Sequence, residues 1–415
     1  MNPIERGRRR FLKESAALAG LAVGAVGSAS GQTPGTEKQV DPKTPYGERS
    51  RFVSSARTAR EYPSHTPYPS RIMDAADALI VTPLQDSAGI ITPSPLHFVV
   101  YNAGYGYPRL HPDIDPRQHR LLIHGLVDRP LIFTMEELQR LPSVSRTHFL
   151  ECGGNSRNSV WPGTQGTVQQ NHGLTSCSEW TGVPLSLLLR EAGVQKEASW
   201  VHAEGADAHK HSRSFPLEKG MDDVLVAYAQ NGEPIRPENG YPVRLVIPGI
   251  EGNRSVKWLR RIKVADQPYT SWSSFAAHEQ GVKSVITFPS GGQRLPGPGF
   301  YEITGLAWSG GGAIRRVEVS TDGGRTWKDA RLQEPVFRKA HTRFRLDWTW
   351  KGEEAVLQSR CTDERGDVQP TLAELSRIHG VDLDWWRSTS VHFSHFRPIF
   401  PWKVTREGSV HNAMY

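Results

Sequence analysis

The sequence predicts an α+β protein in which a mixed α/β segment is followed by a β-sandwich. Three observations lead there. Strand-like runs and short capped helices alternate between residues 80 and 266. Beyond Asp266 the pattern changes to period-two alternation broken by turn residues. A chain of 415 residues also has the length of about two domains.

The elements follow in order. Residues 31–79 are rich in Pro, Ser, Thr and charge, with few aliphatics, and read as an extended arm. Arg120-Leu-Leu-Ile-His-Gly125 reads as a strand entering a turn. Thr134 with Glu137 forms a capping box that opens a helix, because side chain and backbone satisfy each other's free donors there. Pro184 to Gly193 has proline at the start of an apolar helix and glycine just past its end. Ser199 to Ala203 and Pro242 to Ile247 read as strands. In the second part Ala307-Trp308, Arg316 to Thr321, Arg343 to Trp350 and Ala355 to Cys361 alternate as half-buried strands do. Asp322-Gly323-Gly324 is expected to join two of these as a hairpin, and Cys361 falls in phase with Leu357 and Ser359 as an interior thiol. Cys177 carries no signal of its own.

The ends and totals narrow the function classes. Residues 1–30 hold Arg8-Arg9 followed by Phe11-Leu12-Lys13 and a weakly apolar run, the pattern of a twin-arginine signal peptide, so a periplasmic location is expected. That route carries folded cargo and suits a protein loaded with a cofactor before export. The formal charge is +7; residues 1–30 contain five basic and two acidic residues, leaving +4 for the rest. So small an excess, without a basic stripe interleaved with aromatics, argues against nucleic acid as a partner. No apolar run reaches membrane-spanning length. The three cysteines Cys152, Cys177 and Cys361 are isolated, so no disulfide framework or zinc ribbon is expected, and the absence of Cys-x-x-Cys-His means no covalently attached haem in this chain.

The richest stretch is His148-Phe-Leu-Glu-Cys-Gly-Gly-Asn-Ser-Arg157. A strand entry through Thr147 and Phe149 delivers the Cys152 thiol into a glycine turn, with Asn155 and Arg157 close behind. Glycine allows close backbone approach to a ligand. A thiolate beside a fixed positive charge suits a soft metal or a nucleophile. Polar clusters elsewhere in the α/β segment centre on Asn102, Asp207, Asn239, Arg244 and the run Ser255-Val256-Lys257. Arg244 interrupts an apolar strand, and an inward arginine there is expected to find an anion or carboxylate. Together these groups offer what a large phosphorylated cofactor needs. A copper or zinc site at His202, His209 and His211 is the competing metal reading, on a weak spacing.

Four blocks in one order carry a resemblance: LECGGNSR, GYPVRLVIPGIEGNRSVKWLRRIKV, KSVITFPSGG and GLAWSGGGAIRRVEVSTDGGRTW. The chain resembles the sulfite oxidase family of molybdopterin enzymes, and within it the molybdenum subunits of Sox-type sulfane dehydrogenases. The resemblance implies a molybdopterin-binding catalytic domain over 80–266 and an immunoglobulin-like β-sandwich dimerisation domain over 267–415. It implies that Cys152 ligates molybdenum and that Arg157 lines the substrate channel. It also implies that Asn102, Asp207, Asn239, Arg244, Ser255, Val256 and Lys257 hold the pterin, with Asn102 and Asn239 standing where the animal enzymes carry histidines. The partners it implies are a c-type cytochrome subunit, in a heterotetramer built on a homodimer, and a sulfur-carrier protein bearing the substrate.

This sequence departs from the animal enzymes in two places. They carry a second substrate arginine just before the Asn102 position, where this chain has Val100 and Tyr101. They carry an active-site tyrosine after a Tyr-x-x-Trp segment, and the stretch following Trp272 here has none before Val285. Fewer cations weaken capture of a free dianion, which favours carrier-bound sulfur over free sulfite as substrate. Dehydrogenation of free sulfite and a non-catalytic scaffold subunit are the alternative readings.

Overall fold

The computed structural model describes residues 49–60, 79–101, 111–160, 166–269, 279–387 and 395–414. The expected signal peptide, Asn102 and the loop 270–278 lie outside these residues. Residues 49–54 make a local turn closed by the Val53 N–H on the Ser50 carbonyl at 2.9 Å. From Ser55 onward the chain is one compact unit.

The α+β expectation holds. The first part carries two five-stranded sheets. One places Glu233–Pro234, Leu225–Gln230, Thr175–Pro184 and Val144–Glu151 side by side, with Arg244–Val246 also pairing with Leu225–Gln230. The other runs Leu131–Thr134, Arg120–Gly125, Leu259–Ala265, Trp200–Gly205, Ser212–Pro216, with one parallel pair, Arg120–Gly125 beside Leu259–Ala265. A shared core fills the space between them: Leu121, Ile123, Val201 and Ile262 from one sheet, Val183, Val226 and Leu245 from the other. The helix Leu185–Ala192 adds Leu188 and Leu189 to it, and ends on Gly193 in the left-handed region at φ +70°. The capping box at Thr134 is formed, its hydroxyl accepting from the Glu137 N–H.

The arm is more than a connector. Thr58–Ala59 pairs with Leu79–Val81, which pairs with Val99–Val100, so its end is a sheet strand. The strand expected over Pro242 to Ile247 is confined to Arg244–Val246.

The second part is a sandwich of a four-stranded and a five-stranded sheet. Gly299–Trp308 lies between Lys283–Phe288 and Thr342–Trp350, and Ala355–Asp363 lies between Ile314–Ser320 and Phe400–Val404. Cys361 is 1% exposed, in phase with buried Leu357 and Ser359. The turn at Gly323 and Gly324, at φ +76° and +89°, does form a hairpin. Its second arm is the two-residue strand Lys328–Asp329, not Arg343 to Trp350, which belongs to the opposite sheet. A two-residue strand is too short to show alternation in the sequence.

The two parts share one interior. Phe149 and Cys177, from the first part, sit in the same buried cluster as Trp308, Val317 and Trp402 of the sandwich. A buried carboxylate marks the join. Glu151, fully buried, accepts from Lys283 Nζ at 2.7 Å, Trp308 Nε1 at 2.8 Å and Asn155 Nδ2 at 2.9 Å. His395 Nε2 lies 3.2 Å from it. The Gly281 N–H donates to His395 Nδ1, so Nε2 carries the proton and donates to Glu151. Burial alone raises the Glu151 carboxyl, but Lys283 and His395 outweigh it and hold it well below the usual carboxylate range.

Removing one member of such a pair strands the other charge in the interior. Lys283→Met is therefore expected to lower stability by about 3–5 kcal/mol. The double variant Glu151→Gln, Lys283→Met should regain a large part of that loss. Denaturant midpoints of the three proteins measure both effects; additive losses would show that the pair is not coupled.

Candidate functional site

Cys152 follows the strand Val144–Glu151 directly, and pairing of that strand with Thr175–Pro184 fixes where the thiol emerges. The Cys152 N–H donates to the Leu174 carbonyl at 2.9 Å, and the Asn155 N–H donates to the Cys152 carbonyl at 2.9 Å. Asn155 also accepts from the Leu174 N–H at 3.1 Å, so this amide staples both ends of the turn. Ser156, at φ +71°, turns the chain into the short 3-10 helix Arg157–Val160, and its hydroxyl meets His172 Nδ1 at 2.6 Å. Arg157 is 4% exposed. Among the described residues, a Cβ placed on Gly154 would meet nothing within 4 Å except the Cys152 sulfur, at 4.0 Å. The glycine thus leaves open space beside the thiol.

Cys152 is half-buried, whereas Cys177 and Cys361 are buried. Burial raises the Cys152 thiol above its ordinary range; Arg60 opposes this, and Glu251 and Glu151 add to it. A thiolate at this position therefore calls for an added positive charge, which a metal ion supplies.

The structure gathers the second set of residues around one loop. Arg244, 4% exposed, gives Nη1 to the Asn239 carbonyl at 2.7 Å, Nη2 to the Ser255 carbonyl at 2.9 Å and Nε to the Leu245 carbonyl at 3.2 Å. It also lies 5.1 Å from the centre of the Trp180 ring. Its expected carboxylate is not among these partners; backbone carbonyls take that place. Lys257 Nζ donates to the Val100 carbonyl at 3.0 Å and the Glu238 carbonyl at 2.9 Å, over the rings of Tyr101 and Trp258. Asp207 accepts from the His211 N–H at 2.9 Å, and a Cβ on Gly205 would crowd both the Lys257 carbonyl and the Asp207 carboxylate. The Ser255 hydroxyl accepts from the Ile247 N–H at 3.0 Å. Val256 turns its side chain into the core, and its N–H donates to the Arg254 carbonyl.

The segment Glu251 to Lys257 connects the two regions. A Cβ on Gly252 would stand 2.9 Å from the Glu151 carbonyl, so only glycine lets this loop rest on the cysteine turn. The loop then runs on to Ser255 and Lys257.

This arrangement fits an anionic cofactor. A guanidinium has five N–H groups and an ammonium three. Arg244 uses three on carbonyls and Lys257 two, and the Asn239 amide nitrogen is buried with no partner among the described residues. Spare donors on one buried and one half-buried cation await an acceptor. Burial pulls Arg244 down to about 9 and Lys257 down to about 7, and a bound phosphate would reverse both. Among the described residues no group of three His, Cys, Asp or Glu side chains could hold a metal. The His202, His209 and His211 reading therefore gains no support. A metal at Cys152 would take most of its ligands from a non-protein group.

Several residues near the thiol carried no local sequence signal. Arg60 donates to the Gly154 carbonyl at 3.1 Å. Glu251 places its carboxyl 3.5 Å from where a Cβ on Gly153 would sit. Glu151 and Lys283 meet across 132 positions of sequence. A buried charge in an apolar run is the one cue that could have marked Glu151 and Lys283.

Two family models match the chain: the oxidoreductase molybdopterin binding domain over residues 109–273 and the Mo-co oxidoreductase dimerisation domain over 274–394. The chain belongs to the sulfite oxidase family of molybdopterin oxidoreductases. It is similar to the crystal structure of the sulfane dehydrogenase SoxCD from Paracoccus pantotrophus, with a TM-score of 0.79 and 39% identity, covering 92% of this chain and 96% of that one. Mitochondrial sulfite oxidase of Homo sapiens is 31% identical over 354 residues, 73% of this chain and 62% of the human protein. NADH nitrate reductase of Solanum lycopersicum is 33% identical over 358 residues, 72% of this chain and 38% of the plant protein. The chain thus spans under two thirds of these two relatives. Its cofactor is molybdenum with molybdopterin, as the family model and the donor set agree. The matched domains divide after residue 273, close to the change of pattern in the sequence.

Glu251 gives a pH-dependent prediction. Burial lifts its carboxyl to about 7, against the pull of Arg254 and Arg213, and Oε1 has no partner among the described residues. The unfolded chain then ionises first as pH rises, so stability falls between the ordinary glutamate range and about pH 7. Glu251→Gln should melt with the wild type near about pH 4 and above it near about pH 8. A constant difference in melting temperature across that range would show that the carboxyl is already charged and paired.

Proposed function

We propose that this chain is the molybdenum subunit of a periplasmic dehydrogenase that oxidises sulfane sulfur or sulfite and passes electrons to a c-type cytochrome subunit. The observation that carries the reading is half-buried Cys152, with open space beside Gly154 among the described residues, adjoining a loop rich in spare cationic donors. Sulfite oxidases and nitrate reductases match to similar degrees, so those comparisons favour the redox class over the substrate. The sulfur substrate rests on the likeness to the sulfane dehydrogenase, which extends over nearly the whole of both chains.

Bound at Cys152, the molybdenum–pterin group supplies a two-electron oxidation with oxygen drawn from water. The chain's own residues bind and orient. Arg244, Lys257 and Asn239 take up the anionic pterin through their spare N–H groups. Arg157 positions the substrate anion and offsets its charge. The apolar cluster of Val81, Leu150, Leu174 and Trp180, against which Cys152 packs, keeps bulk water from the sulfur on that side. The electrons leave through a partner, because the sequence holds no haem or iron–sulfur motif. The twin-arginine pattern supports export, and the dimerisation-domain match supports a homodimer within the larger assembly. Free sulfite is the second reading, supported by buried Arg60, whose charge acts on the thiol.

Cys152→Ser should abolish turnover while leaving a folded protein that still holds the pterin. Retained activity would remove the ligand assignment. Arg157→Ala should raise KM for sulfite, since a positioning charge is lost. An unchanged KM would take Arg157 out of the substrate site. Turnover on sulfite set against turnover on a carrier protein bearing a persulfide separates the two substrates. A well-folded sample without molybdenum would favour a scaffold.

A further inference from the structure

The sheet built on Arg120–Gly125, Leu259–Ala265, Trp200–Gly205 and Ser212–Pro216 has two unlike faces. Successive side chains of a strand point to opposite sides. Leu121, Ile123, Val201, Ile262 and Val264 fill the core on one side. The residues between them form the other face, and the register sets them in rows. His124 stands opposite Lys263, and Lys263 stands opposite His202. In the next row Leu122 stands opposite Arg261, Arg261 opposite Glu204, and Glu204 opposite Ser212.

The first row sets three basic side chains on adjacent strands, at a spacing of about 5 Å. Like charges placed opposite one another destabilise a sheet. The carboxylate of the second row does not relieve them, because it is already committed. Arg260 Nε donates to Glu204 Oε1 at 2.7 Å, and Arg261 Nη2 donates to Glu204 Oε2. The Lys263 ammonium has no carboxylate partner among the described residues. His124 Nε2 is enclosed and likewise has no partner among them. Burial, joined by Arg261 and Lys263, pulls the His124 imidazole below its ordinary range, against Glu204. A bound anion would oppose that pull.

This row also has a wall. His202 Nε2 donates to the Gln267 carbonyl at 2.8 Å, Ser214 Oγ to the Tyr269 carbonyl at 3.3 Å and Ser199 Oγ to the Asp266 carbonyl at 2.7 Å. These bonds hold residues 266–269 along the edge of the face. The Tyr269 ring meets the His202 ring edge-on, with centroids 6.0 Å apart. A cavity of about 240 Å³ results, lined by His124, His202, Ser212, Arg261, Lys263 and Tyr269. Pockets for drug-sized ligands begin at about 300 Å³. This one suits a small ion that keeps part of its water. Basic groups in excess, and no trio of His, Cys, Asp or Glu fit for a metal among the described residues, give that ion a negative sign.

We propose that this cavity binds a small tetrahedral oxyanion, inorganic phosphate or sulfate, through Lys263, His124 and His202. The site shares no residue with the cysteine turn or the cofactor loop. It therefore stands whether or not the chain oxidises sulfur.

The test uses the full chain with its cofactor, and inorganic phosphate as the probe. Lys263→Gln removes the middle charge and Lys263→Arg keeps it. A double variant, His124→Gln with His202→Gln, removes both imidazoles. Calorimetry gives Kd, and melting temperatures are taken with and without phosphate. Lys263→Gln should weaken binding at least about tenfold, the size of one charge-assisted hydrogen bond, and Lys263→Arg far less. Without phosphate, Lys263→Gln should melt at or above the wild type, because repulsion along the row is relieved. In saturating phosphate the order should reverse, because the wild type gains more from the bound ion. Equal phosphate affinity in the wild type, Lys263→Gln and the double histidine variant would overturn the proposal. So would binding that disappears in about 150 mM chloride, where diffuse attraction to exposed charge is screened. Sulfate titrated in the same way shows which oxyanion the site prefers, read from the loss on Lys263→Gln rather than from total uptake; either preference upholds the site.

Discussion

The carboxylate of Glu151 is the constraint on which the rest of the structure depends. It is fully buried and immediately precedes Cys152, and its acceptor capacity is taken by groups from distant parts of the chain. Asn155 belongs to the cysteine turn itself. Lys283 and Trp308 belong to the sandwich strands Lys283–Phe288 and Gly299–Trp308. A carboxylate in a low-dielectric interior is tolerable only when its partners are held in good geometry. That demand ties the placement of the thiol to the docking of the sandwich.

The loop Glu251 to Lys257 adds a second tie. Its start rests on the Glu151 carbonyl through Gly252, and its end carries Lys257 into the cationic cluster. Sulfur on one side and spare N–H groups on the other are spaced by this single segment. A cofactor with a soft donor end and a phosphorylated end would meet a preformed surface, with little chain to reorder on binding.

Much of this could be read in advance where the signal was local. The capping box at Thr134, the glycine-terminated helix at Leu185–Ala192 and the alternation of Ala355–Asp363 depend on neighbours in sequence, and all form. The inward setting of Arg244 was legible from a charge inside an apolar run. Its partners were not, because a backbone carbonyl leaves no trace in residue identity. The hairpin partner of Ile314–Ser320 was misjudged because Lys328–Asp329 is too short to display a period. The Glu151 network and Arg60 depend on residues far apart in the chain, which no window of periodicity spans.

Phe149 and Cys177 lie in the sandwich's own apolar cluster, although they belong to strands of the molybdopterin domain. The boundary between the matched domains is therefore a boundary of ancestry rather than of cooperativity. A chain cut between them would leave each half with an unfilled hydrophobic socket. The molecule should melt in one transition, and the sandwich should be no more separable from the metal-binding half than one wall of a room from the ceiling it supports.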